Sequence, residues 1–154
     1  TTINGLGERS GNTSTEELLL ALKLLYGKDL GIDLTRLTDV SNLVEKLSNT
    51  PLQKHKPVVG RHSFSHESGM VVAGVLEEPF VAEAYAPELV GAHREILIGK
   101  KSGAKSLEAK LNENGIHLPE EAVRELLTDV KNQALAVKRS LTDDEFFDLV
   151  RKYQ

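Results

Sequence analysis

Leu18, Leu19, Leu20, Ala21, Leu22, Leu24 and Leu25 form a nearly unbroken apolar run. It is too continuous for a helix that buries one stripe, and it predicts a helix covered on most sides. Thr13 and Ser14 precede it, each with a Glu three residues on, Glu16 and Glu17, which is capping-box spacing. Gly27 ends it. Beyond Asp33, a second cap, Leu34, Leu37, Val40, Leu43, Val44 and Leu47 recur at intervals of three and four. That is the pattern of an amphipathic helix, and Pro51 stops it near Asn49.

Residues 50–63 carry Pro51, Pro57 and several histidines and read as a connector. The next stretch, 65–76, predicts a helix made flexible by Gly69 and Gly74. Pro79 and Pro87 mark a loop with a short turn, and 94–98 predicts a short strand or extended link. Ser102 can cap a helix that runs through Leu111 and ends at Gly115. Pro119 fits a first helical position, ahead of the stripe Ala122, Val123, Leu126, Leu127, Val130, Ala134 and Val137. Thr142 with Glu145 is another capping box, opening a last helix with Phe146, Phe147, Leu149 and Val150. The expected fold is mainly α, with about six helices and little strand.

Composition narrows the function classes. The 154 residues suit one domain or two small helical ones, and 40% apolar residues can build a core. A formal net charge of −4 disfavours general nucleic-acid binding, which needs clustered cations. The absence of Cys excludes disulfides, thiolate zinc sites and a cysteine nucleophile, and fits a reducing compartment. No apolar run approaches the roughly 18 residues of a membrane span. The opening Thr1-Thr2-Ile3-Asn4-Gly5 lacks a signal peptide's basic start, so a cytoplasmic location without membrane or nucleic-acid partners is expected.

Several clusters invite chemistry. Gly5-Leu6-Gly7-Glu8-Arg9-Ser10-Gly11-Asn12 precedes a helix, where anions bind well. Its spacing matches neither GxGxxG nor a Walker loop, and a tight strand-to-helix turn is the plainer alternative. A turn alone does not call for the Glu8–Arg9 pair, which sits where α/β barrels carry catalytic groups. His62 and His66 are four apart with Glu67 adjacent, so on one helix they would share a face and chelate zinc. The alternative is that His66 hydrogen-bonds at a loop–helix junction. Lys54, His55 and Lys56 form a basic cluster that reads as solvated surface. Lys100 and Lys101, in Gly99-Lys100-Lys101-Ser102-Gly103, precede a helix N-terminus and are either solvated surface or a site for a phosphate or carboxylate.

Four blocks, in order, carry a family resemblance. Gly5-Leu6-Gly7-Glu8-Arg9-Ser10-Gly11-Asn12 with Thr15-Glu16-Glu17-Leu18 resembles the GxGERxGN…EE segment of the 2-isopropylmalate, homocitrate and citramalate synthases. Thr50-Pro51-Leu52-Gln53 with Val59-Gly60 is similar to the family's P-x-Q…K-x-x-V-G connector. Phe64-Ser65-His66-Glu67-Ser68-Gly69 is similar to its F-x-H-x-S-G, and Pro87-Glu88-Leu89-Val90-Gly91 with Gly99-Lys100-Lys101-Ser102-Gly103 to its PE-x-VG…GK-x-SG. The blocks cover residues 3–103; 104–154 resemble the family only generally.

The resemblance implies a (β/α)8 barrel enzyme with helical subdomains after the barrel. Residues 1–30 would be the barrel's last strand end, loop and helix, 31–103 a linker and first helical subdomain, and 104–154 a second. The metal-binding HxH strand and catalytic acids of the family would lie earlier, leaving the active site incomplete here and the chain inactive alone. The implied parent reaction condenses acetyl-CoA with a 2-oxo acid at a divalent metal (Mg²⁺, Mn²⁺ or Zn²⁺), in a homodimer. On this reading Asn12 is a metal ligand, since an amide oxygen suits a hard cation. His66 and Glu8 are the catalytic candidates, and Arg9, Ser68, Lys100 and Lys101 would bind substrate. One departure matters: the family's SG-x-H has Val71 in place of the His, and a valine cannot transfer a proton. The usual TYE tyrosine is also absent at Ala82, with Tyr85 three residues on. Either His66 or His93 substitutes, or the chain belongs with the lyase branch. A purely structural dimerisation and lid module is the alternative of a different class.

Overall fold

The computed structural model describes residues 1–154 as two compact units. The first comprises Thr1–Phe64 and Tyr85–Arg94, the second Ser65–Ala84 and Glu95–Gln154. Six α-helices and one two-stranded sheet make the fold mainly helical, as the sequence pattern predicts.

In the first unit a 3₁₀ turn, Ile3–Gly5, leads to helix α1, Thr15–Tyr26. Thr2 forms an isolated parallel bridge with Ser14: its N–H donates to Thr13 O at 3.1 Å, and its carbonyl accepts from Thr15 N at 3.0 Å. Asn12 N then donates to Gly5 O at 2.9 Å and closes the glycine-rich turn. Gly11 is required there, because its φ is +86° and a Cβ would lie 2.7 Å from Gly5 O.

The two capping boxes expected at the start of α1 are not formed. Ser14 makes no side-chain cap, and its buried Oγ has no hydrogen-bond partner. Glu16 turns inward instead, 1% exposed, and accepts from Asn4 N at 3.1 Å. Gly27, at φ +61°, ends the helix as expected. The expected cover is also missing within this unit. Of the leucines in α1 only Leu20 is buried, while Leu25 is 78% exposed.

Asp33 accepts from Thr35 N at 3.0 Å and starts a 3₁₀ turn that runs into α2, Leu37–Ser48. Asn49, left-handed at φ 52°, ends α2 just before Pro51. The core of this unit is Leu20, Leu37, Val58, Val59, Phe64 and Val90, with Tyr85 packed edge-on to Phe64 at 5.4 Å. Burial pushes the Tyr85 hydroxyl above its ordinary pKa.

The second unit begins with β1, Ser65–His66, which pairs in parallel with β2, Glu95–Ile96, in the register Ser65↔Glu95 and His66↔Ile96. The helix predicted over 65–76 is therefore shorter: α3 spans Gly69–Glu77. Sheet pairing takes Ser65 and His66, and Gly69 N is used by Lys101 O at 3.1 Å. A 3₁₀ turn, Pro79–Val81, follows. Helices α4, Ala104–Glu113, α5, Glu120–Val137, and α6, Asp143–Val150, complete the unit. Their inward stripes, including Leu107, Leu111, Val123, Leu126, Val130 and Phe146, form its core.

Ser102 does not cap α4. Its Oγ accepts from Gly99 N at 2.9 Å and donates to Leu97 O at 3.3 Å, tying the loop to itself. At α6 the expected capping box is complete, with Thr142 Oγ1 accepting from Glu145 N and Glu145 accepting from Thr142 N. No helix is long and apolar enough to cross a membrane.

Candidate functional site

The glycine-rich turn of the first unit carries Glu8, Arg9 and Asn12, all exposed. Arg9 adopts φ 59°, an uncommon conformation for a residue other than glycine. Asn12 Nδ2 reaches Leu6 O at 3.4 Å, which ties the amide nitrogen to the turn, and no hydrogen bond to its amide oxygen is formed. No group of three or more His, Cys, Asp or Glu is arranged to hold a metal ion. The residues present therefore do not make a metal site by themselves, because Asn12 supplies one neutral oxygen where Mg²⁺ or Mn²⁺ needs several.

Beneath this turn lies a polar cluster that the sequence patterns do not signal. Asn4 N donates to Glu16 Oε2, Asn4 Nδ2 donates to Ser41 O at 3.0 Å, and Ser41 Oγ donates to Asn4 Oδ1. Lys56 Nζ stands 3.8 Å from Glu16 Oε1 and bonds Glu17. A carboxylate buried this far needs a cation and donors: Lys56 supplies the charge and Asn4 N one donor, while Oε1 has no hydrogen-bond partner. Glu16 sits where a helix start ordinarily carries solvated acids, so its inward role has no local sequence signal.

In the second unit β1 carries His66, and the loop after it carries Glu67 and Ser68. Leu97 N donates to His66 O at 2.9 Å, which fixes the backbone from which the imidazole projects. Its Nε2 lies 3.0 Å from Glu83 Oε1. The His66 side chain is 12% exposed and that of Glu83 2%. The turn that opens at Pro79 positions Glu83, whose N–H donates to Pro79 O at 3.1 Å. The zinc reading of His62 with His66 fails on local structure. It requires one shared helix, whereas His62 lies in a turn and His66 in β1. His93 is exposed.

Glu67 organises the Lys100–Lys101 loop. Its Oε1 accepts from Lys101 N at 3.0 Å, and Ser140 Oγ lies 3.5 Å from its Oε2. Gly99 makes room for the carboxylate, since a Cβ there would lie 2.6 Å from Oε1. One backbone donor of the expected anion site is thus taken by an internal carboxylate. The Lys100 and Lys101 side chains remain exposed. Ser68, the residue before α3, makes no side-chain cap and bonds Val72 N through its carbonyl at 2.8 Å. Val71 is 38% exposed and Met70 86%, so apolar side chains meet solvent where the synthase pattern has its histidine.

The structure thus brings His66, Ser68 and Lys101 into one unit through β1, Glu67 and the start of α3, and it places Glu8, Arg9 and Asn12 together on the turn of the other. Pattern reasoning does not single out Glu83, although setting the TYE tyrosine at Ala82 puts that motif's acid at Glu83, and it misses the bracing role of Glu67.

Residues 58–138 match the family model described as homocitrate synthase post-HMGL domain-like, and residues 1–44 match the HMGL-like model. The homocitrate synthase AksA of Methanothermobacter thermautotrophicus is 42% identical over 151 residues, covering 98% of this chain and 38% of that protein. Homocitrate synthase 1 of Nostoc sp. is 43% identical over 152 residues, covering 99% and 40%. 2-Isopropylmalate synthase 2 of Caldanaerobacter subterraneus is 45% identical over 148 residues, covering 96% and 38%. The chain spans about two fifths of the length of these curated relatives. With more than half its residues matched by the model for the segment after the HMGL-like part, the chain belongs to the homocitrate synthase post-HMGL domain-like family.

Proposed function

We propose that the chain supplies the loop and lid portion of an acetyl-CoA-dependent 2-oxo acid synthase of the homocitrate or 2-isopropylmalate type. In the reaction proposed, the enolate of acetyl-CoA adds to the 2-oxo carbon and water then releases CoA. The observation that carries this reading is the His66–Glu83 pair. A sheet-anchored imidazole against a buried carboxylate is a proton-transfer group standing five residues before the valine that replaces the usual histidine. His66 then takes over that role.

On the same reading Asn12 offers one oxygen to a divalent cation whose other ligands come from a barrel, and residues 1–30 form the end of that barrel. Residues 31–103 act as linker and first subdomain, and 104–154 as second subdomain. Glu8 acts on the reacting groups. Arg9, with its charge exposed on the turn, pairs with a substrate carboxylate, and Ser68, Lys100 and Lys101 meet the acyl-CoA or the 2-oxo acid. A cytoplasmic homodimer is the proposed assembly. The exposed leucines of α1 support this, because a helix so apolar is covered by neighbours in its working state.

The test is CoA release from acetyl-CoA with a panel of 2-oxo acids and Mg²⁺ or Mn²⁺, using protein expressed from the complete coding sequence. His66→Ala should lower the rate about 10²- to 10⁴-fold. Exposed Val71 favours a second reading, a lyase. Cleavage of 2-hydroxy acids or their CoA thioesters without condensation would establish it. No turnover in either direction, with a stable dimer by size-exclusion chromatography, would leave the structural lid module.

A further inference from the structure

We infer that Glu83 holds His66 as the Nε2–H tautomer and so makes Nδ1 the nitrogen that exchanges protons. The inference rests on the reading of His66 as a proton-transfer group for its use, but not for its geometry. A neutral imidazole has one N–H and one lone pair, and a neighbouring acceptor decides which nitrogen carries the hydrogen. Here the neighbour is a carboxylate oxygen 3.0 Å from Nε2. The opposite tautomer would set the Nε2 lone pair against a carboxylate oxygen, two acceptors facing each other at hydrogen-bond distance in a site where Glu83 is 5% exposed. That arrangement forfeits a charge-assisted bond and sets two lone pairs against each other.

Both partners are held from behind. The His66 backbone is fixed by the bond from Leu97 N and by register with Ile96, and that of Glu83 by the bond to Pro79 O. Nδ1 accepts no hydrogen bond from the protein and is not sealed from solvent. Glu83 is therefore a positioning residue. When a C–H acid such as an acyl thioester is deprotonated, the Nδ1 lone pair takes the proton and the C–H electron pair moves onto the carbonyl oxygen. The imidazolium so formed keeps its Nε2–H on the Glu83 carboxylate. Returning the proton from Nδ1 restores the starting ring. The carboxylate fixes the tautomer and stabilises the charged ring, as carboxylates behind other working histidines do.

The test needs no turnover. Multiple-bond ¹⁵N–¹H correlation spectra of the full chain labelled at histidine, recorded at about pH 8 where an ordinary histidine is neutral, report the tautomer of each ring. His66→Gln assigns the His66 signals. We expect His66 as the Nε2–H tautomer with a slowly exchanging Nε2 proton. In Glu83→Met no side-chain acceptor faces Nε2, so the slow exchange of the Nε2 proton should be lost. An Nδ1–H ring in the unmodified chain overturns the inference, whether or not the variant folds. An equally slow Nε2 proton in folded Glu83→Met overturns the role of Glu83. If His66→Ala keeps full CoA release while the tautomer is as expected, the functional reading fails and the tautomer assignment stands, so the two failures are distinguishable.

Discussion

Glu67 Oε1 accepts the backbone N–H of Lys101 at 3.0 Å, and this bond joins the loop after β1 to the loop that opens α4. The same carboxylate lies against Gly99 and within 3.5 Å of Ser140 Oγ. Glu67→Ala should cost about 1 kcal/mol, the net worth of an ordinary hydrogen bond, because the bond is exposed. It should also abolish hydrogen-exchange protection of the Lys101 amide while that of the α5 amides persists. Gly99→Ala should give the same local loss by forcing the carboxylate away. Unchanged protection at Lys101 in both variants would show that Glu67 does not hold the loop.

Glu16 is buried at the start of α1 with Lys56 as its cation. Removing one member of a buried pair leaves an uncompensated charge. Lys56→Met should therefore destabilise the chain by about 3 kcal/mol, read from urea unfolding followed by circular dichroism. Adding Glu16→Gln should recover part of the loss, since the amide needs no cation. Full additivity of the two changes would refute the coupling.

How much of this was readable follows from what each element depends on. The helices α2, α5 and α6 are set by period, caps and stops within a few residues, and the pattern places them. The box at Thr142 and Glu145 forms because nothing competes for Glu145 except Arg139, which approaches from outside. The equally well-spaced boxes at Thr13 and Ser14 do not form. Thr2 bonds Thr15, and Asn4 with Lys56 draws Glu16 inward, partners that lie far along the chain. Likewise the helix predicted from residue 65 gives way to a strand because Glu95 and Ile96 come alongside. Of the candidate site, His66 is visible from its motif and Glu83 falls at the acid of the TYE stretch, but that the two pair is not visible. Such pairing depends on tertiary position rather than local spacing.

Arg139 grips Glu145 with two bonds of 2.7 Å, and the Thr142 N–H adds a third; the Arg139 guanidinium holds the Glu145 carboxyl down to about 2. Its ordinary value is 4.5, so the native state binds the proton less readily than the unfolded chain. The stability from this contact is complete above the unfolded value and is lost as pH falls from about 4.5 toward about 2. Arg139→Gln should raise the Glu145 pKa and shift the start of acid unfolding of α6 to higher pH. Carbon-detected titration of Glu145 measures the first effect and circular dichroism the second. A Glu145 pKa near 4.5 in the unmodified chain would remove the basis for both.

Val71 is the sharpest departure from the synthase pattern, and its position permits a direct trial. It lies in the first turn of α3 and is 38% exposed, beside Met70 at 86%. A histidine there meets no core wall, so Val71→His should change stability by no more than about 0.5 kcal/mol. If His66 performs the proton transfer, the new histidine should leave CoA release unchanged within about twofold, and His66→Ala should still abolish it. If activity was lost with the family histidine, Val71→His should restore CoA release to protein that shows none, and His66→Ala in that background should have little effect. The two outcomes cannot both occur. Paired rates of the single and double variants therefore decide whether this branch of the family moved its proton-transfer group to β1 or gave up condensation when position 71 became apolar.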